Sequence, residues 1–434
     1  MKKNKLGVRI WSTLLLFGLF GQIAWVIENM YFNKFLYDTI SGDARHIAWM
    51  VAASAATATL TTIVMGALSD RVGRRKAFIS FGYVLWGLST MAFAFISTDA
   101  AAELFPNGDA TLIAAAVVIA MDCVMTFFGS TANDGAFNAW VTDVTTPDVR
   151  GKVDGILAIL PLTALLLIFG GFDGFAASGD WSTFFLVLGG LVSAGGVAGF
   201  FLIREDRAKP SEGHYWRTVA HGFLPSTVKA NPTLYLILLT LAVFTTAGQV
   251  YMPYFIIYIV EYLDVEAYAI LLGAVILAAS IAGILVTRKV SAATINRYFL
   301  PSLSVMAVGL VLLWIARDPL FVGIAGFVMM SGNLVFTGVL NAKMRDRTPL
   351  GKAGRFQGIR MIFFVLIPMI VGPFIGSSVI RGNGETFVEF GVVKDLPTPA
   401  IFLAAAIVCV LTLVPLWFML RRDKVEPPLA SDSQ

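Results

Sequence analysis

Long apolar runs follow one another along the chain, separated by short polar connections, and the spacing fits membrane-crossing helices rather than a soluble core. Reading runs bounded by charges, proline or glycine clusters, the sequence predicts six helices near 10–37, 46–68, 77–97, 110–140, 153–177 and 181–203. Six more are expected near 232–262, 266–287, 297–316, 319–342, 356–380 and 399–420. Each is long enough to cross about 30 Å of hydrocarbon. The expected fold class is an all-α polytopic membrane protein of twelve transmembrane helices in two pseudo-symmetric six-helix bundles.

An internal repeat supports the two halves. Asn138-Ala139 with Asp143, then Thr146-Pro147 and Gly155-Ile156, recurs as Asn341-Ala342 with Asp346, then Thr348-Pro349 and Gly358-Ile359. The outer landmarks keep one offset of 203 positions, Asn341 to Asn138 and Gly358 to Gly155. A weaker echo sets Gly283-Ile284-Leu285 with Arg288 against Gly66-Ala67-Leu68 with Arg71, with Thr287 in the place of Asp70. The expected division is a bundle over 1–203, a cytoplasmic linker over 204–231, a bundle over 232–420 and a tail over 421–434. The linker reads either as plain solvated chain or as a short amphipathic helix on the membrane surface. The tail, with Pro427-Pro428 and small polar residues, is expected to be disordered.

Charge supplies the orientation. Lys and Arg gather on one side, in Lys2, Lys3, Lys5 and Arg9, in Arg71 to Lys76, in the 204–231 stretch, and in the connections near 288–297, 343–355 and 421–424. The other side carries only Arg45, Arg317, Arg381 and Lys394, so both termini are expected in the cytoplasm. The chain is 57% hydrophobic and 14% charged, and its net charge of +4 lies in membrane-edge connections, which argues against a nucleic-acid partner. Only Cys123 and Cys409 occur, both in apolar runs, so neither a disulfide framework nor a zinc site is expected. The first apolar run exceeds a signal-peptide core and is expected to remain uncleaved. No G-x-x-x-x-G-K-[ST] and no H-E-x-x-H sequence is present, which leaves an enzyme reading little support and argues against metal or nucleotide cofactors.

Ionisable residues inside apolar runs cost about 2.5–3.5 kcal/mol each and are functional candidates by default. They are Glu28, Lys34, Asp122, Asp134 and Arg360. Asp122 lies about eleven residues into its helix, near mid-membrane at a rise of about 1.5 Å per residue, with Thr126 and Asn133 extending the same face. A carboxyl at that depth can carry a proton reversibly, so Asp122 is the first candidate for proton coupling and Glu28 the second; interhelical hydrogen bonding is the other reading. Trp25 and Asn29 flank Glu28 at helical spacing, and Gln249 and Tyr254 offer a similar set in the seventh helix, with Pro253 as a kink. An aromatic plate beside hydrogen-bonding groups suits a sugar, although the same residues also fill ordinary bundle interfaces. Asp134, Asp143 and Arg150 lie toward the cytoplasmic end, where carboxylate–arginine pairs would form a gate; surface caps and topology determinants are the alternative. Arg360 is expected to pair with a buried carboxylate or to reach the interface.

The densest motif is Gly66-Ala67-Leu68-Ser69-Asp70-Arg71-Val72-Gly73-Arg74-Arg75-Lys76, read as a charged turn between two helices. Its glycines allow a tight turn and close helix approach, and Asp70 suits a helix N-terminus or an arginine. The spacing G-x-L-x-D-R-x-G-R-R-K resembles the signature loop of the major facilitator superfamily. That resemblance implies alternating access, with Asp70, Arg71 and Arg74 latching the outward-facing state. Within the superfamily, Asn133-Asp134 through Asp143 and Arg150-Gly151 look like the glycoside–pentoside–hexuronide:cation symporters and the sucrose-type proton symporters. Melibiose-type sodium symporters of that group use acidic residues of the second helix, and 47–68 has none, which favours protons. The expectation is a monomeric, multi-pass protein of the cytoplasmic membrane that imports a di- or oligosaccharide with protons. A proton-driven efflux antiporter for amphipathic compounds and a non-transporting membrane sensor are the alternatives.

Overall fold

A computed structural model describes residues 6–145, 147–204, 224–265, 267–291, 294–347, 358–389 and 392–423. The chain divides into two compact units, Met1–Gly213 and His214–Gln434. The N-terminal lysines, most of the expected linker, the repeated Thr348-Pro349 and the tail beyond Asp423 lie outside the described residues, as does the side chain of Arg150.

Among the described residues, twelve helices are long and apolar enough to cross a membrane. The first unit holds α1 (Val8–Ile40), α2 (Ala44–Val72), α3 (Arg75–Phe95), α4 (Ala110–Val144), α5 (Lys152–Gly171) and α6 (Trp181–Leu202). The second holds α7 (Pro232–Tyr262), α8 (Tyr268–Thr287), α9 (Asn296–Ile315), α10 (Pro319–Arg347), α11 (Gly358–Asn383) and α12 (Ala400–Asp423). All twelve lie where the apolar runs predict them. With no water to satisfy backbone groups in hydrocarbon, a long apolar run has few alternatives to a helix.

The charged signature is less a turn than a helix end. α2 stays helical through Asp70 and Arg71 to Val72 and stops at Gly73, whose φ of 67° is left-handed and whose N–H donates to Ser69 O at 3.0 Å. Only Gly73 and Arg74 separate α2 from α3. Gly66 does not turn the chain; it lies inside α2 against Gly135 of α4, where a Cβ on Gly135 would come 3.2 Å from the Gly66 nitrogen. In lipid such close backbone approach supplies the packing that water-driven burial supplies elsewhere.

Several helices carry wide π-type turns: Ile27–Tyr31 and Leu36–Ile40 in α1, Ser130–Phe137 in α4, Tyr258–Tyr262 in α7 and Ile362–Leu366 in α11. Each adds a residue to a turn and so rotates the side chains that follow it. Pro253 sits in a tight turn, Met252–Tyr254, as the kink expectation has it. The first unit is closed toward the far end of α1 by buried rings from α1, α3 and α6, among them Phe32 stacked on Phe93 at 4.1 Å and Phe35 edge-on to Phe185 at 5.0 Å. Between α11 and α12 the chain forms an antiparallel hairpin that the apolar pattern does not signal, β1 (Thr386–Glu389) paired with β2 (Val392–Asp395). Lys394 of β2 bonds Glu389 Oε2 at 2.6 Å across it.

Candidate functional site

The wide turn at Ile27–Tyr31 places Glu28 on the side of α1 that meets α2 and α4. There Glu28, Ser54 of α2 and Asp122 and Thr126 of α4 are all buried. Ser54 Oγ donates to Glu28 Oε1 at 2.5 Å, Thr126 Oγ1 donates to the same oxygen at 2.8 Å, and the two hydroxyls are 2.9 Å apart. Asp122, one helical turn before Thr126, sets its carboxyl beside the Ser54 hydroxyl and within electrostatic reach of Glu28. The expected pair of coupling carboxyls is thus one cluster rather than two separate positions.

Two oxygens of this cluster, Glu28 Oε2 and Asp122 Oδ1, are buried without a hydrogen-bond partner among the described residues. Charged and unpaired, such an oxygen is strongly disfavoured in an apolar interior. Two carboxylates in one buried cluster also repel one another. A proton on one of them relieves both problems, and the Ser54 hydroxyl, which has one hydrogen and lies beside both acids, can turn between them.

The polar groups continue along the α2–α4 seam. Asp134, half-buried in the wide turn of α4, faces the hydroxyls of Thr62 on α2 and Ser130 on α4. Beside it, Asn133 Nδ2 donates to Tyr83 Oη at 2.6 Å, and Tyr83 donates to Phe17 O at 2.7 Å, which ties α4, α3 and α1 together. At the signature end, the buried Arg75 pairs with Asp70, donates to Asp143 Oδ2 at 3.2 Å and donates to Ser69 Oγ at 2.6 Å.

That geometry corrects the expected latch. Asp70 and Asp143 do meet an arginine, but it is Arg75, the first residue of α3, carried back under Ser69 by the Gly73 reversal. Arg71 and Arg74 are exposed and make no ion pair among the described residues. The expected Asp143–Arg150 pairing lies outside the described residues, because the Arg150 side chain is not among them; Asp143 bonds Arg75. Arg75 was legible only as one more basic residue of the run.

The substrate candidates fall in both units. On α1, Trp25 is half-buried with its ring 4.9 Å from that of Trp86, and Asn29 is exposed, donating from Nδ2 to Trp25 O at 2.7 Å. On α7, Gln249 is half-buried against Gly372 of α11, where a Cβ would come 2.4 Å from Gln249 Cβ. Tyr254 is fully buried and donates to Pro373 O at 2.8 Å, so its ring and hydroxyl join α7 to α11 and do not line an open surface as expected. Lys34 is buried and bonds Asp38 at 2.7 Å one turn later. Arg360 makes no ion pair among the described residues; it reaches Asn341 Oδ1 at 3.5 Å and the Phe364 ring at 5.5 Å.

The second unit has an ionic cluster that the sequence reading missed. Lys343 and Arg347 of α10 both pair with Asp423 of α12, and Asn296 of α9 donates to Asp423 Oδ2 at 2.8 Å. All three charged side chains are less than a tenth exposed. The available signal was the i,i+4 spacing of Lys343 and Arg347 on one helix face.

The profile of the Major Facilitator Superfamily matches residues 10–373. Solved structures share the fold at low identity. The nucleoside transporter NupG, in a mutant form, is 12% identical with a TM-score of 0.73 over 95% of this chain and 100% of its own. A bacterial homolog to the human lysosomal transporter Spinster, inward-facing and unoccupied, is 14% identical with a TM-score of 0.63 over 96% of each chain. None of the curated proteins matches the sequence significantly. The profile covers most of the chain, and the twelve apolar helices are those of a multi-pass membrane protein: the chain belongs to the Major Facilitator Superfamily and is a transporter of small molecules rather than an enzyme.

Proposed function

We propose that the protein is a proton-coupled sugar importer of the cytoplasmic membrane, working as a monomer by alternating access of its two bundles, with both termini in the cytoplasm. The observation that carries the reading is the buried cluster of Glu28, Ser54, Asp122 and Thr126, which brings two carboxyls together with two hydroxyls and leaves one oxygen of each acid without a partner among the described residues. Asp122 takes up and releases the proton, with the Ser54 hydroxyl beside it as hydrogen-bond partner, and Glu28 is the second candidate. The two carboxyls of the cluster come from α1 and α4, and the α2 run over 47–68 has no acid, which favours protons over the sodium site of the melibiose type. Trp25 and Asn29 supply the aromatic plate and amide for a hydroxylated ring, and Gln249 is a separate candidate within the second unit; Asn133-Asp134 through Asp143 and Arg150-Gly151 support placing the chain in the glycoside–pentoside–hexuronide:cation or sucrose-type branch. Asp70, Asp134, Asp143 and Arg75 form the cytoplasmic gate.

The test is external pH in a weakly buffered suspension of de-energised cells overproducing the protein, on addition of a panel of sugars. Nucleosides join the panel, since NupG is a nucleoside transporter and a nucleoside also carries a hydroxylated ring. The expected outcome is alkalinisation by one sugar, absent with Asp122→Asn, which retains substrate exchange. Alkalinisation by a nucleoside alone would replace the substrate class and keep the coupling. A folded, membrane-inserted protein that gives no signal, or Asp122→Asn that still concentrates substrate, would overturn the proton assignment and turn attention to efflux of amphipathic compounds.

A further inference from the structure

We infer that a groove on the second unit, between the start of α7 and the end of α12, is a binding site for an anionic phospholipid. Its volume is about 700 Å3, in the range that takes a small-molecule body. Pro232, Leu236 and Leu239 form one wall and Phe418 the other, while Arg421 and Arg422 close one end. Leu239 and Phe418 are largely exposed, so the walls are apolar surface open to the outside of the bundle.

The two ends of the groove differ as the two ends of a lipid do. From Pro232 to Leu239 is about two helical turns, roughly 10 Å along α7, which carries the apolar floor from the membrane edge into the hydrocarbon. At the edge, the Arg421 guanidinium lies over the Trp417 ring, 3.8 Å from its centroid. That contact holds a cation beside an interfacial aromatic, at the level where headgroup phosphates lie. Among the described residues lining the groove are two arginines and no carboxylate. The nearby Asp423 carboxylate is buried against Lys343 and Arg347. Exposed Lys229, in the short helix Pro225–Ala230 that precedes α7, adds to the positive rim. A phosphate needs a donor fork, which arginine supplies. A lipid of net negative charge gains more from this rim than a zwitterionic one. The apolar walls select a diacyl lipid over a soluble anion. None of this depends on the substrate or the coupling ion, so the two readings fail separately.

The test is native mass spectrometry of the purified, delipidated full chain titrated with dioleoyl phosphatidylglycerol and with dioleoyl phosphatidylcholine. Wild type is expected to hold phosphatidylglycerol more tightly. R421Q/R422Q is expected to weaken it roughly 30-fold while leaving phosphatidylcholine unchanged. L239W keeps both arginines, fills the groove and is expected to weaken both lipids; it stands as the test should the double variant fail to fold. Equal affinity of wild type for the two lipids, or of wild type and the variants for phosphatidylglycerol, overturns the site. Displacement of the lipid by millimolar inorganic phosphate also overturns it, by showing a soluble-anion site.

Discussion

Ser54 and Glu28 stand on different helices, and their side-chain oxygens are 2.5 Å apart, buried together beneath Thr126. A buried acceptor that loses its donor costs about 1–3 kcal/mol. In Ser54→Ala the Glu28 carboxyl keeps only the Thr126 donor, and Asp122 loses the hydroxyl beside it. On the proposed proton coupling, substrate accumulation is expected to fall about tenfold, taking 1.4 kcal/mol as the loss, with substrate exchange less affected. Ser54→Thr, which keeps the hydroxyl, retains most of the accumulation. Initial rates of uptake and exchange in inverted and right-side-out vesicles check this, and equal behaviour of Ser54→Ala and wild type would remove Ser54 from the coupling site.

Arg75 and its two neighbours in the basic run separate by burial. Arg75 is 10% exposed at its side chain, against 38% and 41% for Asp70 and Asp143. Surface pairs contribute about 0–1 kcal/mol and breaking a buried one costs about 3–5 kcal/mol, so this half-exposed network lies between, near 1–3 kcal/mol. Arg75→Ala is expected to lower the thermal midpoint of the purified protein, whereas Arg71→Ala and Arg74→Ala change stability by no more than about 0.5 kcal/mol. Unfolding curves in one detergent, compared across the three variants, decide it. A larger loss from Arg71 or Arg74 than from Arg75 would return the latch to the residues that the motif alone suggests.

These two cases show what the sequence discloses and what it does not. The helices are legible because hydrocarbon leaves a long apolar run little choice, and Glu28 and Asp122 are legible because an acid in such a run is rare. Their meeting is not, since Glu28 faces α2 and α4 from within the wide turn at Ile27–Tyr31, and an apolar run does not announce where such a turn falls. The choice of Arg75 over Arg71 and Arg74 likewise depends on how far α2 stays helical before Gly73. Tyr254 could not be sorted by type, because an aromatic in a helix serves a cavity, a belt or a core, and only its contact with Pro373 decides. The β1–β2 hairpin has no period to read: Val388, Val392 and Val393 are exposed, and each strand has four residues.

The connection between α1 and α2 offers a pH test outside the membrane. Asp43 caps α2, accepting from the Arg45 N–H at 2.8 Å and pairing with its guanidinium. Partial burial pushes its carboxyl up, but the Arg45 hydrogen bonds and charge, with His46, hold it below the ordinary carboxylate range. A carboxyl depressed on folding contributes stability that is complete above its unfolded value, about 3.9, and is lost as pH falls through the lower folded value. The cap is therefore intact at neutral pH, and Asp43→Ala is expected to cost about 1 kcal/mol there. The difference from wild type should shrink only below about pH 4. Thermal midpoints of the two proteins between pH 3.5 and 7 check the sign, and a difference that grew with acidification would contradict it.

Asp423 pairs with both Lys343 and Arg347, and all three side chains are buried. Removing one partner from a buried ionic group leaves the others uncompensated, at a cost of about 3–5 kcal/mol. Asp423 pairs with two cations and each cation pairs with it, so Asp423→Asn, which breaks both pairs, is expected to destabilise the second unit more than either Lys343→Met or Arg347→Met, which break one each. Each methionine variant removes a charge from a cluster that carries one net positive charge, and so leaves a neutral pair. Asn296 donates to Asp423 Oδ2 and accepts from Lys343 Nζ at 3.2 Å, so Asn296→Ala should lie between these extremes. Joining Asp423→Asn with Lys343→Met should restore part of the loss, because the double variant deprives one buried cation of the Asp423 carboxylate instead of two. A thermal-midpoint cycle on the four proteins measures that coupling. Additive losses would mean that the cluster is solvated enough for its charges to act independently.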